Sequence, residues 1–182
     1  KHYFNETRLK ANGYSVITGT KAIEQTSYEK FVGFYNDSIH PPSIGQGRGD
    51  FLPIVTQKTL SVLSAKKKPF FLMIEGSQID WGGHANDAQY IIEEMMDFNA
   101  SIQKALDFLK NNPNTLIVIT ADHETGGLSL IADKKNQFVP TFSSGHHSGI
   151  MVPVFAFGKQ AQLFNGIYEN TAIYDKLMGV MR

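Results

Sequence analysis

The chain is 182 residues long, with 42% apolar and 12% aromatic side chains, enough to bury an ordinary globular core in one domain covering residues 1–182. Its 17 Lys and Arg balance 17 Asp and Glu, so no net field draws it to nucleic acid or anionic lipid. Cysteine is absent, which excludes disulfides and thiolate metal sites and leaves nitrogen and oxygen as the only metal donors.

The first residues, Lys1-His2-Tyr3-Phe4, carry neither an initiator Met nor a leader pattern, so any export signal is expected upstream of them. Asn5 caps a predicted short helix over 6–11, Gly13 ends it, and 14–18 reads as a strand. A second short helix over 22–25 leads to a strand at 31–35. Asp37-Ser38 reads as a turn in a polar stretch. Pro41, Pro42, Gly45, Gly47 and Gly49 then mark a long loop, within which Arg48-Gly49-Asp50 reads as a loop tripeptide.

Leu52, Val55, Leu60 and Leu63 have the spacing of an amphipathic helix over 52–65, followed by the Lys66-Lys67-Lys68 cluster at its end. Pro69 opens a buried strand at 70–74, with Glu75 at its carboxyl end. A long helix over 87–109 carries an apolar stripe of Ile91, Met95, Phe98, Ile102, Ala105, Leu106 and Leu109, stopped by Asn111-Asn112-Pro113. A strand at 115–120 ends just before Asp122. Segments 128–131 and 138–142 form a predicted hairpin, 152–157 a further strand, and 172–181 a closing helix. No apolar run approaches the roughly 18 to 20 residues of a bilayer span. Strands alternating with helices predict an α/β sheet, mostly parallel, with helices on both faces.

Ligands of open α/β sheets collect beyond the carboxyl ends of the strands, where Glu75, Asp80, Asp122 and His123 fall. Asp80 and His84 are four residues apart, a spacing that lets both reach one cation, with Gly82-Gly83 expected to lead into the next helix. Asp122-His123 sets a carboxylate beside an imidazole. His146-His147, in a Gly and Ser rich loop, supplies a further imidazole to close a tetrahedral site. Imidazole and carboxylate without sulfur suit zinc, and a neighbouring carboxylate with water suits magnesium. Two cations side by side clamp the attacking and leaving oxygens of a phosphoryl transfer.

Three stretches, Glu75-Gly76-Ser77-Gln78-Ile79-Asp80-Trp81-Gly82-Gly83-His84-Ala85-Asn86-Asp87, Thr120-Ala121-Asp122-His123-Glu124-Thr125-Gly126-Gly127, and His147-Ser148-Gly149 followed by Val152-Pro153-Val154-Phe155-Ala156, resemble the metal-binding blocks of the alkaline phosphatase family. The resemblance is clear over about 69–158 and looser before it. It implies a three-layer α/β sandwich with a mostly parallel central sheet, truncated at its N-terminal side. It assigns Asp80, His84 and His147 to a first zinc, Asp122 and His123 to part of a second zinc shell, and Glu75 to magnesium. His146 fits the family pattern less well than His147. The activity implied is hydrolysis of small-molecule phosphate monoesters, through a phosphoserine that metal-activated water then hydrolyses. A homodimer and a periplasmic or secreted location are implied in the same way.

The departures bear on catalysis. The family's serine, in an Asp-Ser-Ala type motif, and its phosphate-binding arginine are not visible in this chain, where Asp37-Ser38 is followed by Ile39. No catalytic residue is therefore assigned, and the chain alone is expected to be inactive. Position 81 is basic or aromatic among relatives, and Trp81 is expected either to pack over the site mouth or to shape it. The rival readings are a related phosphodiesterase, sulfatase or cofactor-independent phosphoglycerate mutase, and a metal-binding module without catalysis.

Overall fold

The computed structural model describes residues 5–36 and 40–181. The Asp37-Ser38 turn lies outside them. Helix α1 (Glu6–Ala11) starts where the Asn5 side chain accepts the Arg8 N–H at 2.9 Å, satisfying an amide that a first turn leaves free. Strand β1 (Ser15–Thr18), helix α2 (Thr20–Gln25) and strand β2 (Phe31–Phe34) follow, with β1 and β2 parallel from Ser15↔Phe31 to Thr18↔Phe34. Gly33 lets α2 lie close to β2: a Cβ there would sit 2.8 Å from Ile23 Cδ1, and Ile23 is fully buried as a result.

Helix α3 (Phe51–Ala65) packs along helix α5 (Ala88–Asn111), and the short helix α4 (Gln78–His84) packs against the start of α5. Asp87 caps α5 by accepting the Tyr90 N–H at 3.0 Å, so the helix begins at Ala88, one residue beyond where the sequence pattern began it. Strand β3 (Leu116–Ile119) pairs antiparallel with β8 (Phe155–Gly158), β4 (Glu124–Thr125) with β7 (His147–Ser148), and β5 (Ser129–Ala132) with β6 (Phe138–Thr141). Helix α6 (Ala172–Val180) closes the described chain. Among the described residues no helix is long and apolar enough to cross a membrane.

The α/β alternation stands, but the pairing is more broken than the sequence suggested. Among the described residues the ladders are four separate pairs, of which only β1–β2 is parallel. The expected strand at 70–74 is the missing link. It runs without ladder partners among the described residues, and its exposure alternates residue by residue, with Phe71 and Met73 outward, Met73 to 76%. That alternation is the period of a pleated strand, so the sequence specifies the conformation while a sheet position requires neighbours on both sides. Strand β8 starts at Phe155 rather than 152 because Pro153 has no N–H to give a ladder; its carbonyl instead accepts from Thr120 Oγ1 at 3.2 Å.

The stripe on α5 also needs correction. Ile91, Phe98, Ile102, Ala105, Leu106 and Leu109 are half-buried and Met95 is exposed, whereas the fully buried positions of the helix are Glu94, Asp97 and Ser101. Ser101 Oγ donates to the Asp97 carbonyl at 3.2 Å, and the two carboxylates share Arg48 as partner. Its guanidinium is buried, ion-paired with Glu94 and 2.9 Å from Asp97 Oδ2, and it also donates to Pro42 O at 3.3 Å. The Arg48-Gly49-Asp50 tripeptide does lie in a loop, with Gly49 and Asp50 exposed, but its arginine is a buried anchor. Burial pulls the Arg48 pKa down, but the hydrogen bonds to Glu94 and Asp97 outweigh it and hold the group above its ordinary value. Asp97 shifts upward, because desolvation exceeds the favourable contact with Arg48.

Candidate metal centre

Gly82-Gly83, expected to lead into the next helix, instead lie inside a helix of their own, α4. Both are buried within it, and each marks a close approach. A Cβ on Gly82 would lie 3.0 Å from the backbone nitrogen of Ile91 in α5, and one on Gly83 would lie 2.9 Å from Thr125 Cβ in β4. Absent side chains therefore let α4 press between α5 and β4, and the helical turn puts Asp80 and His84 on one face. The register of β4 with β7 sets Thr125 opposite His147, which brings the third residue to the same point.

There the three side chains converge. Asp80 Oδ2 lies 3.4 Å from His84 Nε2, Asp80 Oδ1 lies 3.5 Å from His147 Nε2, and the two imidazole nitrogens are 3.1 Å apart. A tetrahedral zinc with bonds of about 2.0–2.1 Å sets neighbouring donor atoms about 3.3–3.4 Å apart, so the spacing fits such an ion. The tautomers fit too. His84 Nδ1 is 2.8 Å from the Gly145 carbonyl, which can only accept, so Nδ1 carries the hydrogen and Nε2 turns its lone pair toward Asp80 and His147.

Asp122 and His123 adjoin this cluster without entering it. The His123 ring stacks on His147 at a centroid distance of 3.5 Å, and its Nε2 lies 3.1 Å from Asp122 Oδ2. Thr125, which the sequence reading passed over, joins the two groups: its hydroxyl donates to Asp80 Oδ1 at 2.5 Å and sits 3.2 Å from His123 Nδ1. One hydroxyl has one hydrogen. With it committed to Asp80, the His123 contact is made by Nδ1–H as donor, and Nε2 faces a carboxylate oxygen. Lone pairs and carboxylates turned toward one another are the signature of a cation position. The signal in the sequence was the Asp-His-Glu-Thr run itself.

Glu75 is exposed at the end of the 70–74 segment, beside a shallow cavity of about 140 Å³ that Leu52, Val55 and Thr56 also line. Among the described residues the metal-competent cluster is Asp80, His84 and His147, and Glu75 is outside it. His146 also stays outside; its backbone carbonyl accepts from Gly126 N at 3.0 Å, which helps place the loop. Trp81, 37% exposed, meets the edge of the His40 ring at 4.9 Å between centroids.

Glu124 ties the two short strands together. It accepts from Ser148 Oγ and from Leu128 N, and these bonds, the serine first, hold its pKa below the ordinary 4.5. A lowered carboxylate pKa stabilises the fold above the unfolded value, and that contribution disappears as pH falls through the folded one. Urea midpoints measured at pH 6 and pH 3 should therefore drop more for the native chain than for Glu124→Gln. Equal drops would show that Glu124 does not latch β4 to β7.

Known proteins resemble the chain in sequence and in fold. The alkaline phosphatase family profile matches residues 2–142, well over half of the chain. Alkaline phosphatase 4 of Bacillus subtilis is 31% identical over an alignment covering 95% of this chain and 40% of that protein. The structure of alkaline phosphatase from the Antarctic bacterium TAB5 superposes with a TM-score of 0.87 at 42% identity, covering 96% of this chain and 54% of that one. A mutant of the TAB5 enzyme with magnesium bound matches with a TM-score of 0.86 at 40% identity, covering the same shares of the two chains. The chain thus spans less than two thirds of the length of these relatives. By its blocks, its fold and the match over most of its length, the chain belongs to the alkaline phosphatase family.

Proposed function

We propose that this chain is the metal-binding part of a phosphomonoester hydrolase, in which Asp80, His84 and His147 hold one zinc and Asp122 with His123 contribute to a second. The observation that carries this reading is the convergence of three metal-competent side-chain donors at tetrahedral spacing, 3.1 to 3.5 Å apart. A divalent cation held there supplies positive charge that polarises a phosphoryl oxygen and offsets charge developing on the leaving group. The residues of the chain do the rest: Gly145 O fixes the His84 tautomer, Thr125 orients Asp80 and His123, and Glu124 braces the His147 strand through Ser148.

Glu75 is assigned to magnesium, a hard cation that suits a carboxylate with water, and the magnesium-bound TAB5 mutant supports that ion. The nucleophilic serine and the phosphate-binding arginine are assigned to sequence outside these 182 residues, and assembly as a homodimer goes with the same reading. The family membership favours a phosphomonoesterase over a diesterase or sulfatase.

Zinc titration of the purified chain, paired with a chromogenic phosphomonoester assay, tests both parts. The expected result is chelator-reversible zinc binding with little or no turnover. Failure to bind zinc would overturn the metal assignment. Metal-dependent turnover by these residues alone would overturn the placement of the nucleophile elsewhere.

A further inference from the structure

The metal helix α4 is held at its first turn by a buried amide. Gln78 is 3% exposed and has both ends of its side chain occupied: Nε2 donates to Pro41 O at 2.9 Å, and Oε1 accepts from Tyr90 OH at 2.7 Å. Tyr90 belongs to α5. The Pro41-Pro42 segment is fastened to the same helix, since Arg48 donates to Pro42 O at 3.3 Å and to Glu94 Oε1 at 3.2 Å, while Ile44 N donates to Glu94 Oε1 at 3.0 Å. Tyr90, Glu94 and Asp97 lie at i, i+4 and i+7 of α5, on one face.

The bonds form a closed circuit from Gln78 through Tyr90, α5, Glu94, Arg48 and the Pro41-Pro42 segment back to Gln78. Asp80 follows two residues after Gln78, and the far end of α4 is fixed separately by the bond between His84 Nδ1 and Gly145 O. Both ends of a seven-residue helix are therefore tied, and the pitch of its first turn depends on one amide.

We infer that Gln78 and Tyr90 are positioning residues: their hydrogen bond sets the angle of α4 and hence the approach of the Asp80 carboxylate to His84 and His147. The amide is suited to this because it must donate to a carbonyl at one end and accept from a hydroxyl at the other, which allows a single orientation. Outer contacts of this kind orient metal ligands, and their loss weakens binding by about 10- to 100-fold. The inference rests on the metal assignment proposed above.

Cobalt(II) in place of zinc tests it, because its visible d–d absorption reports coordination geometry independently of turnover. Tyr90→Phe deletes one hydroxyl from a half-buried ring and keeps the fold; Gln78→Leu removes both bonds. The expected result is a native chain with a tetrahedral cobalt spectrum, a roughly tenfold weaker affinity with altered band shape in Tyr90→Phe, and a larger loss in Gln78→Leu. Ile23→Ala serves as the control, since it opens a cavity at α2 and β2 and lowers stability without touching the circuit. An unchanged spectrum and affinity in folded Tyr90→Phe overturns the inference. So does an equal loss of affinity in Ile23→Ala, which would trace the effect to general stability. Failure of the native chain to take up cobalt shows in every variant alike and overturns the metal assignment instead.

Discussion

His84→Ala should remove the tighter of the bound zinc ions, lowering the stoichiometry by one, a larger effect than the roughly 10- to 100-fold weakening that outer contacts command. The size of the effect follows from geometry. His84 Nε2 is 3.1 Å from His147 Nε2 and 3.4 Å from Asp80 Oδ2, so its loss leaves two donors where a structural or catalytic zinc needs at least three from the protein. His84 is exposed and its fold contribution is one bond to Gly145 O, so the helix content of the variant should match the native chain. Equilibrium dialysis with atomic emission, backed by circular dichroism, checks both statements. Unchanged stoichiometry would sink the assignment of His84 as a ligand.

Arg48→Met should be the most destabilising single change considered, by about 3–5 kcal/mol, because it strands Glu94 and Asp97 in the interior without their cation. Methionine fills much of the arginine stem, so the cost is electrostatic and not a cavity. The effect should depend on pH in a defined direction. Burial already raises the Asp97 pKa, and a carboxyl raised in the folded state opposes folding once pH exceeds its unfolded value, so removal of Arg48 should hurt most near neutrality and less near pH 4. Urea unfolding at the two pH values measures the difference. A loss below about 1 kcal/mol at pH 7, the range of exposed ion pairs, would show that the Arg48 contacts are not desolvated.

Arg48 also shows where reading the sequence stops. The long helix was legible from its apolar period and its Asn111-Asn112-Pro113 stop, and the strands at 15–18, 31–34 and 116–119 from their β-branched and aromatic runs. The buried face of that helix was not, because an apolar stripe says nothing about carboxylates whose partner lies 46 and 49 residues upstream in a glycine-rich loop. The segment at 70–74 was legible as extended chain but not as unpaired chain, since pairing is a property of neighbours. For the site, the i, i+4 spacing of Asp80 and His84 and the strand-end position of Asp122 and His123 were visible. What joins them is a tertiary register, β4 against β7, which sets Thr125 opposite His147 and cannot be seen in either strand alone.

The shared hydroxyl of Thr125 has one more consequence under the proposed metal assignment. A cation that draws on Asp80 or His123 alters how strongly the carboxylate accepts from the Thr125 hydroxyl or the imidazole donates to it, and the single hydroxyl passes the change to the other. Occupancy of one position then biases the affinity of its neighbour, and linkage makes the bias reciprocal: whatever factor the first ion imposes on the second, the second returns. The pair would load as a coupled system, with a binding isotherm steeper or shallower than two independent sites would give.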